Sequence, residues 1–220
     1  DIGGGTTDIA IFYDKIIRHT AVIPFGGNVI TEDIKEGCSI LQKHAEEMKI
    51  KFGSALAKEN QDNEIIVIPG LKGRTPKEIS TKNLACIIEA RMKEILELVA
   101  FEIKNSGYEK KLIAGIVVTG GGAQMKHMKQ LVEYTIGMDT RIGYPNEHLA
   151  KSSEDVTNPL FSTGVGLVLQ GYEELEVEKT RMPKESTVTT HSKKSRGNFF
   201  DSIFKSTKKL FEEEGDEFQQ

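Results

Sequence analysis

The chain has 220 residues, of which 38% are hydrophobic and 28% charged, values typical of a soluble globular protein with one large or two small domains. A formal net charge of −4 argues against nucleic acid as a partner. No apolar run in the sequence approaches the roughly 20 residues that span a bilayer. Cys38 and Cys86 have no metal-like spacing, so we expect them to be buried and reduced.

The first eight residues are the stretch from which a ligand is predicted. They are Asp1-Ile2-Gly3-Gly4-Gly5-Thr6-Thr7-Asp8, and a predicted strand follows. Three consecutive glycines leave backbone amides open to a phosphate chain. Thr6 and Thr7 add hydroxyl donors, and Asp1 supplies a carboxylate for a phosphate-bound Mg²⁺, held through water. The alternative is a flexible hairpin turn, but the flanking acidic and hydroxyl residues favour phosphate binding. No Gly-Lys-Ser/Thr closes the loop, so it is not a Walker loop.

This loop opens the chain, with no strand or initiator methionine before it. A phosphate loop normally lies inside a fold, so we expect the sequence to be the back part of a longer protein. Strands are predicted over Ile9–Tyr13 and Ile16–Ile23. A helix is predicted from about Asn28 to Gly37, and a second from Ile40 to Phe52.

Glu46 and Lys49 lie three residues apart on the second predicted helix, and therefore on one face. From spacing alone, an intrahelical ion pair is the favoured interpretation. Ile65–Ile68 is predicted to be a strand, and the turn-rich connection after it carries Lys72, Arg74 and Lys77.

Ser80 or Thr81 is predicted to cap a long helix with a buried apolar stripe. Lys82 lies in its first turn, and Arg91 falls in its middle on a solvated face. A core strand is then predicted over Leu112–Thr119. It runs into Gly120, Gly121, Gly122 and Ala123 and an amphipathic helix, a layout in which a ligand meets a helix N-terminus. Two glycine loops about 115 residues apart suggest one nucleotide held from two sides.

The end of the chain has a different composition. A short strand over Arg141–Tyr144 and a helix from Asn158 to Tyr172 precede a polar segment up to Gly197, which is predicted to be a disordered linker. Apolar and lysine residues then recur at helical spacing, which predicts an interfacial membrane helix on anionic lipid. Its residues are Phe199, Phe200, Ile203, Phe204, Lys205, Lys208, Lys209, Leu210 and Phe211. The alternative is a helix that docks back on the domain.

These motifs resemble the second half of the actin/heat-shock-chaperone ATPase superfamily, and within it the FtsA family of bacterial cell-division proteins. Asp1–Asp8 resembles the superfamily's second phosphate motif, and Val118–Ala123 resembles its adenosine motif. The FtsA likeness rests on Gly26-Gly27-Asn28-x-x-Thr31-x-Asp33, on Ala45-Glu46-x-x-Lys49 and on the C-terminal amphipathic helix.

The resemblance implies an α/β fold, the second lobe of an actin-like (ribonuclease H-like) ATPase. It implies a subdomain IIA over 1–25 and 105–175, a subdomain IIB over 26–104, a flexible linker over 176–197, and a membrane-targeting helix with an acidic end over 198–220. It further implies ATP and Mg²⁺ as ligands, with phosphates on Gly3 to Thr7, Mg²⁺ near Asp1, and adenosine against Gly120 to Gly122. The Glu46 and Lys49 pair would reach ribose and adenine, which overturns the plain ion-pair interpretation.

The implied function is a filament-forming adaptor, at most a weak ATPase, that anchors the FtsZ ring to the inner face of the cell membrane. Its implied partners are the FtsZ C-terminal peptide, other copies of itself, other divisome proteins and anionic lipid. Arg74, Lys77, Lys82 and Arg91 are candidates for receiving the FtsZ peptide, although a merely solvated basic surface is an equal alternative. The first phosphate loop would lie upstream. Rival interpretations are a cell-shape or pilus-assembly scaffold of the same fold, or an actin-fold sugar or acetate kinase.

Overall fold

The structure is a computed structural model, and it describes residues 1–61, 64–70, 75–146 and 156–181. The chain divides into two units, Asp1–Val177 and Glu178–Gln220. Of the second unit only the helical backbone of residues 178–181 is described. The predicted membrane helix and the basic residues Lys72 and Arg74 lie outside the described residues.

The chain begins with an antiparallel hairpin of β1 (Thr7–Tyr13) and β2 (Ile16–Ile23), as the sequence predicts. Asp14 and Lys15 both adopt positive φ, which matches the twist of a two-residue hairpin turn. Ile11 and Ile23 are buried on one face of this hairpin. These buried side chains set the register in which β1 pairs with β2. The start of β1, and with it the glycine loop that precedes β1, is therefore held in a defined position.

Two short helices and a second hairpin follow. They are α1 (Gly27–Cys38), α2 (Gln42–Phe52), β3 (Ile65–Ile68) and β4 (Lys77–Ser80). β3 pairs antiparallel with β4. The sequence analysis missed β4, because only Ile79 among its four residues is apolar and buried. α1 also runs one residue past the predicted break at Gly37 and ends at Cys38, and the next residue, Ser39, has a left-handed conformation.

The third helix, α3 (Thr81–Asn105), begins where predicted, with the Ser80 side chain accepting a hydrogen bond from the amide of Asn83. After it, β5 (Ile116–Val118) pairs in parallel with β6 (Thr140–Ile142), and α4 (Met128–Ile136) lies between them in the chain. β5 is shorter than predicted, since Ile113 is 93% exposed rather than part of a buried strand. α5 (Ser162–Arg181) continues past Tyr172, into the segment predicted to be a linker.

The hydrophobic core is built mainly from α1, α3 and α4. Its fully buried side chains include Ile30, Ile34, Leu84, Ile88, Met92, Ile95, Met128, Leu131 and Val132. Burying each such side chain contributes roughly 1.5–3 kcal/mol. Cys38 is buried as expected, whereas Cys86 is exposed, which corrects the prediction for that residue.

One ion pair holds α1 against α3. The guanidinium of Arg91 donates from Nε and Nη2 to the two carboxylate oxygens of Asp33, at 2.5 and 2.9 Å. A bidentate pair of this kind fixes orientation as well as distance. It therefore helps to fix α1, the helix whose first turn meets the glycine loop.

None of the helices in the described ranges is long and apolar enough to cross a membrane.

Candidate functional site

The first glycine loop is a tight hairpin turn that precedes β1. The amide of Asp8 donates to the carbonyl of Asp1 at 2.8 Å, and the amide of Gly3 donates to the carbonyl of Thr6 at 2.9 Å. Gly4 and Gly5 form the exposed tip. The hairpin and the phosphate interpretations are thus compatible, because the turn is the means by which the amides are presented.

The first turn of α1 supports this loop from one side. The amides of Gly27 and Asn28 donate to the carbonyls of Gly3 and Gly4, at 2.9 and 2.7 Å. These amides belong to the start of a helix, where no intrahelical acceptor is available to them. The carbonyls of Gly3 and Gly4 are thereby occupied. Across the described part of the chain, the amides of Gly4, Gly5 and Thr6 have no acceptor, so three neighbouring N–H groups remain for a ligand.

The glycines of the loop differ in what surrounds them. A Cβ built on Gly3 would lie 3.2 Å from the carbonyl oxygen of Thr6, and one on Gly4 would lie 3.3 Å from Oδ1 of Asn28. A Cβ on Gly5 would meet nothing within 4 Å. Neither packing nor a positive φ requires a glycine at position 5. The open space at the Cβ position of Gly5 leaves room for a group that must approach the backbone closely, such as a phosphate.

The two threonines of the loop already have acceptors for their hydroxyl protons. Thr7 is buried, and its hydroxyl donates to the carbonyl of Phe25 at 2.9 Å. The hydroxyl of Thr6 donates to Oδ2 of Asp8 at 2.9 Å. In this structure Thr7 ties β1 to the segment before α1. The loop offers its backbone amides, rather than these hydroxyls, as free donors.

The second glycine loop lies directly beside the first. The amide of Ile2 donates to the carbonyl of Thr119, and the amide of Gly122 donates back to the carbonyl of Ile2, both at 2.9 Å. Gly120 has a φ of +85°, and a Cβ there would lie 2.2 Å from Oδ1 of Asp1. The two motifs that the sequence separates by about 115 residues are therefore adjacent, as they must be if one nucleotide is held between the two loops.

Asp1 has a partner that the sequence analysis missed. Its Oδ2 accepts a hydrogen bond of 2.6 Å from the hydroxyl of Thr163, in the first turn of α5. Within the described residues, no group of three or more His, Cys, Asp or Glu side chains is placed to hold a metal ion. Magnesium in nucleotide sites commonly uses one or two carboxylates plus phosphates and water, so a single carboxylate fits such a role.

The Glu46–Lys49 pair reaches from α2 to the first turn of α1. Lys49 Nζ lies 2.7 Å from Oε2 of Glu46, so the ion pair expected from spacing is present. The same ammonium donates to the carbonyl of Gly27 and to the hydroxyl of Thr31, both at 2.8 Å. Burial opposes the charged form of Glu46, but hydrogen bonds from Lys49 and Thr31 outweigh it and lower the pKa of this carboxyl. The pair therefore lies next to the glycine loop through Gly27.

Two of the basic residues proposed for a partner surface, Lys77 and Arg91, make contacts within the chain. Lys77 donates to the carbonyl of Cys38, and Arg91 pairs with Asp33 and with Glu94. Lys82 lies in the first turn of α3.

A separate cavity of about 200 Å³ is lined by Leu56, Lys58, Glu89, Lys93, Gln130 and Tyr134, and it includes none of the predicted site residues.

The family model and the similar curated proteins both point to one family. A family model described as cell division protein FtsA matches residues 1–166. The cell division protein FtsA of Pseudomonas aeruginosa is 45% identical over 172 residues, which cover 78% of this chain and 41% of that protein. FtsA of Neisseria meningitidis is 42% identical over 169 residues, covering 76% of this chain and 41% of that protein. The chain thus spans about two-fifths of the length of these relatives.

Solved structures agree on the fold. MreB 5 of Spiroplasma citri, determined with AMPPNP bound, matches with a TM-score of 0.63 at 23% identity, covering 81% of this chain and 54% of that one. At this level of identity the likeness concerns the fold alone. It confirms the predicted actin-like architecture.

Proposed function

This chain belongs to the FtsA family of cell division proteins, and on that premise we propose that the whole protein binds ATP with Mg²⁺ and anchors the FtsZ ring to the inner face of the cytoplasmic membrane. The observation that carries the nucleotide part is the set of three amides without an acceptor at Gly4, Gly5 and Thr6, on the exposed tip of the first loop. Consecutive backbone amides of this kind bind anions without any charged side chain.

Each neighbouring group then has a role toward the nucleotide. The amides of the first loop bind phosphate oxygens, and the carboxylate of Asp1 holds Mg²⁺ through water. Gly120, Gly121 and Gly122 lie against adenosine, and Glu46 and Lys49 lie on its other side. Bound Mg²⁺ would neutralise phosphate charge. The role that we propose for these residues is to bind and orient the nucleotide.

The partners follow from the family and from the sequence of the tail. Residues 198–211 form the amphipathic helix on anionic lipid, and copies of the protein associate into filaments that bring many tails to one membrane. Arg74, Lys77, Lys82 and Arg91 contribute to a surface for the FtsZ C-terminal peptide, alongside other divisome proteins. Lys77 and Arg91 would combine this role with their contacts to α1.

A single methyl group tests the phosphate site. In the full-length protein, Gly5→Ala adds a Cβ that meets nothing within 4 Å, so the fold should be unaffected. It occupies the space that a phosphate needs, and we expect ATP affinity, measured by calorimetry, to fall at least tenfold. Gly171→Ala in α5, where a Cβ also meets nothing within 4 Å, is the matched control and should bind as wild type. Equal ATP affinity in Gly5→Ala and wild type would remove the loop from the site.

A further inference from the structure

The carboxylate of Asp1 lies where the two glycine loops meet the start of α5. The residue after it is fixed to the second loop, since the amide of Ile2 donates to the carbonyl of Thr119 at 2.9 Å. A Cβ on Gly120 would lie 2.2 Å from Oδ1 of Asp1, so the carboxylate packs directly against that loop. The backbone at Asp1 is therefore held in place, and the direction of its side chain depends on further contacts.

The start of α5 is attached to the same loop. The amide of Gly120 donates to the carbonyl of Pro159 at 3.1 Å, one turn before α5 begins. The hydroxyl groups of Thr119 and Ser162 form a hydrogen bond with each other. Ser162 is the first residue of α5, and Thr163 follows it. These contacts hold Thr163 at a defined position beside Asp1.

Thr163 is the residue that orients the Asp1 carboxylate. Its hydroxyl donates to Oδ2 of Asp1 at 2.6 Å, a length typical of a strong, charge-assisted hydrogen bond. Across the ranges that the structure describes, Oδ1 accepts no hydrogen bond. One oxygen of the carboxylate is thus held by α5, and the other remains for a ligand.

We infer that Thr163 is a positioning residue for Mg²⁺, which holds the Asp1 carboxylate by Oδ2 so that Oδ1 faces the water shell of the metal ion. The inference rests on the proposed nucleotide site and adds to it a residue outside both glycine motifs. Hydrogen-bond partners of a carboxylate at a metal site influence metal affinity without touching the ion. Loss of the Thr163 hydroxyl should therefore weaken binding of the nucleotide with Mg²⁺, and leave binding of the nucleotide alone unchanged.

The test measures ATP affinity of the full-length protein by calorimetry, once with saturating Mg²⁺ and once with EDTA. The ratio of the two affinities is the Mg²⁺ preference. Thr163→Val keeps the shape of the side chain and removes the hydroxyl. Partners of this kind change metal affinity about 10–100-fold, and a contact through water belongs at the lower end, so the preference should fall about tenfold. Affinity in EDTA and the urea midpoint should equal wild type, because Thr163 is exposed. Thr163→Ser should restore the preference.

A double-mutant cycle shows whether Thr163 acts through Asp1. Asp1→Asn removes the charge and should lower the Mg²⁺ preference, and adding Thr163→Val to Asp1→Asn should lower it no further. A further loss in the double variant would mean that Thr163 acts elsewhere, and would overturn the inference.

A Thr163→Val protein with the wild-type preference, or one weakened equally with and without Mg²⁺, would overturn the inference as well. The proposed function fails in a different way. Wild type that binds ATP equally with and without Mg²⁺ would refute its metal part, and wild type that binds no ATP would refute the nucleotide site as a whole.

Discussion

The contact between Gly26 and the glycine loop gives a quantitative prediction. A Cβ on Gly26 would lie 2.6 Å from the carbonyl oxygen of Gly3 and 2.9 Å from those of Gly4 and Thr6. Carbon and oxygen approach to about 3.3 Å without strain, so Gly26→Ala must move the loop by roughly 0.7 Å. All three atoms belong to the backbone, and no side-chain rotation can relieve the clash.

That movement affects the two hydrogen bonds that join α1 to the loop. They measure 2.9 Å from Gly27 to Gly3 and 2.7 Å from Asn28 to Gly4. Lengthened to about 3.4–3.6 Å, they contribute little. Losing two bonds of about 0.5–1.5 kcal/mol each, with overpacking of about 1–3 kcal/mol, predicts a total loss of about 2–6 kcal/mol in the free energy of unfolding.

Urea unfolding of the full-length protein, followed by circular dichroism, measures this loss as a lower midpoint at unchanged slope. Gly171→Ala, inside α5, should leave the midpoint unchanged or raise it slightly, so it shows that a loss in Gly26→Ala is not the general effect of replacing a glycine. ATP affinity should fall in Gly26→Ala as well, in contrast to Gly5→Ala, which should lose affinity at a stability equal to or slightly above that of wild type. A midpoint for Gly26→Ala that equals wild type would refute the described packing of the loop on α1.

Two further predictions concern pH and lipid. Because the pKa of Glu46 in the folded protein lies below its ordinary value of 4.5, its contribution to stability is complete above that value and is lost as the pH falls through the folded pKa. The difference in urea midpoint between wild type and Glu46→Gln should therefore be constant near neutral pH and shrink below pH 4.5; a constant difference across that range would contradict the assignment. For the proposed membrane helix, Phe204→Glu places a charge in its apolar face and should release the protein from anionic vesicles in a flotation assay while ATP binding persists. Flotation equal to wild type would refute the anchor.

The sequence was most informative where local rules decide the structure. The hairpin of β1 and β2, the cap at Ser80 (one of two candidates) and the ion pair that spacing alone favours for Glu46 and Lys49 all depend on neighbours within a few residues. β4 was missed because its apolar content is too low to register without its partner β3. Its partner β3 lies close by in the chain, but the composition of β4 alone does not report the pairing.

The site was predicted by motif, and its supporting contacts were not. Thr163 donates to Asp1 from 162 residues away, and no spacing rule links them. Thr31 stands in the quoted motif Gly26-Gly27-Asn28-x-x-Thr31-x-Asp33, yet its contact with Lys49 depends on how α1 packs on α2. Asp33 of that motif likewise pairs with Arg91 on α3. No spacing rule relates these residues to the site, because each contact joins two separate elements of the fold.

The glycines around the site separate into two groups that a sequence motif cannot distinguish. Gly26, Gly120 and Gly122 are required by the protein itself, since a Cβ at each would lie within 2.6 Å of another part of the chain. Gly5 has no such neighbour. A glycine without an internal reason lowers stability through its extra freedom in the unfolded chain, so an external reason is needed to explain it. A ligand that must touch the backbone at this tip is such a reason, which is why Gly5 provides a more specific test of nucleotide binding than the more crowded glycines.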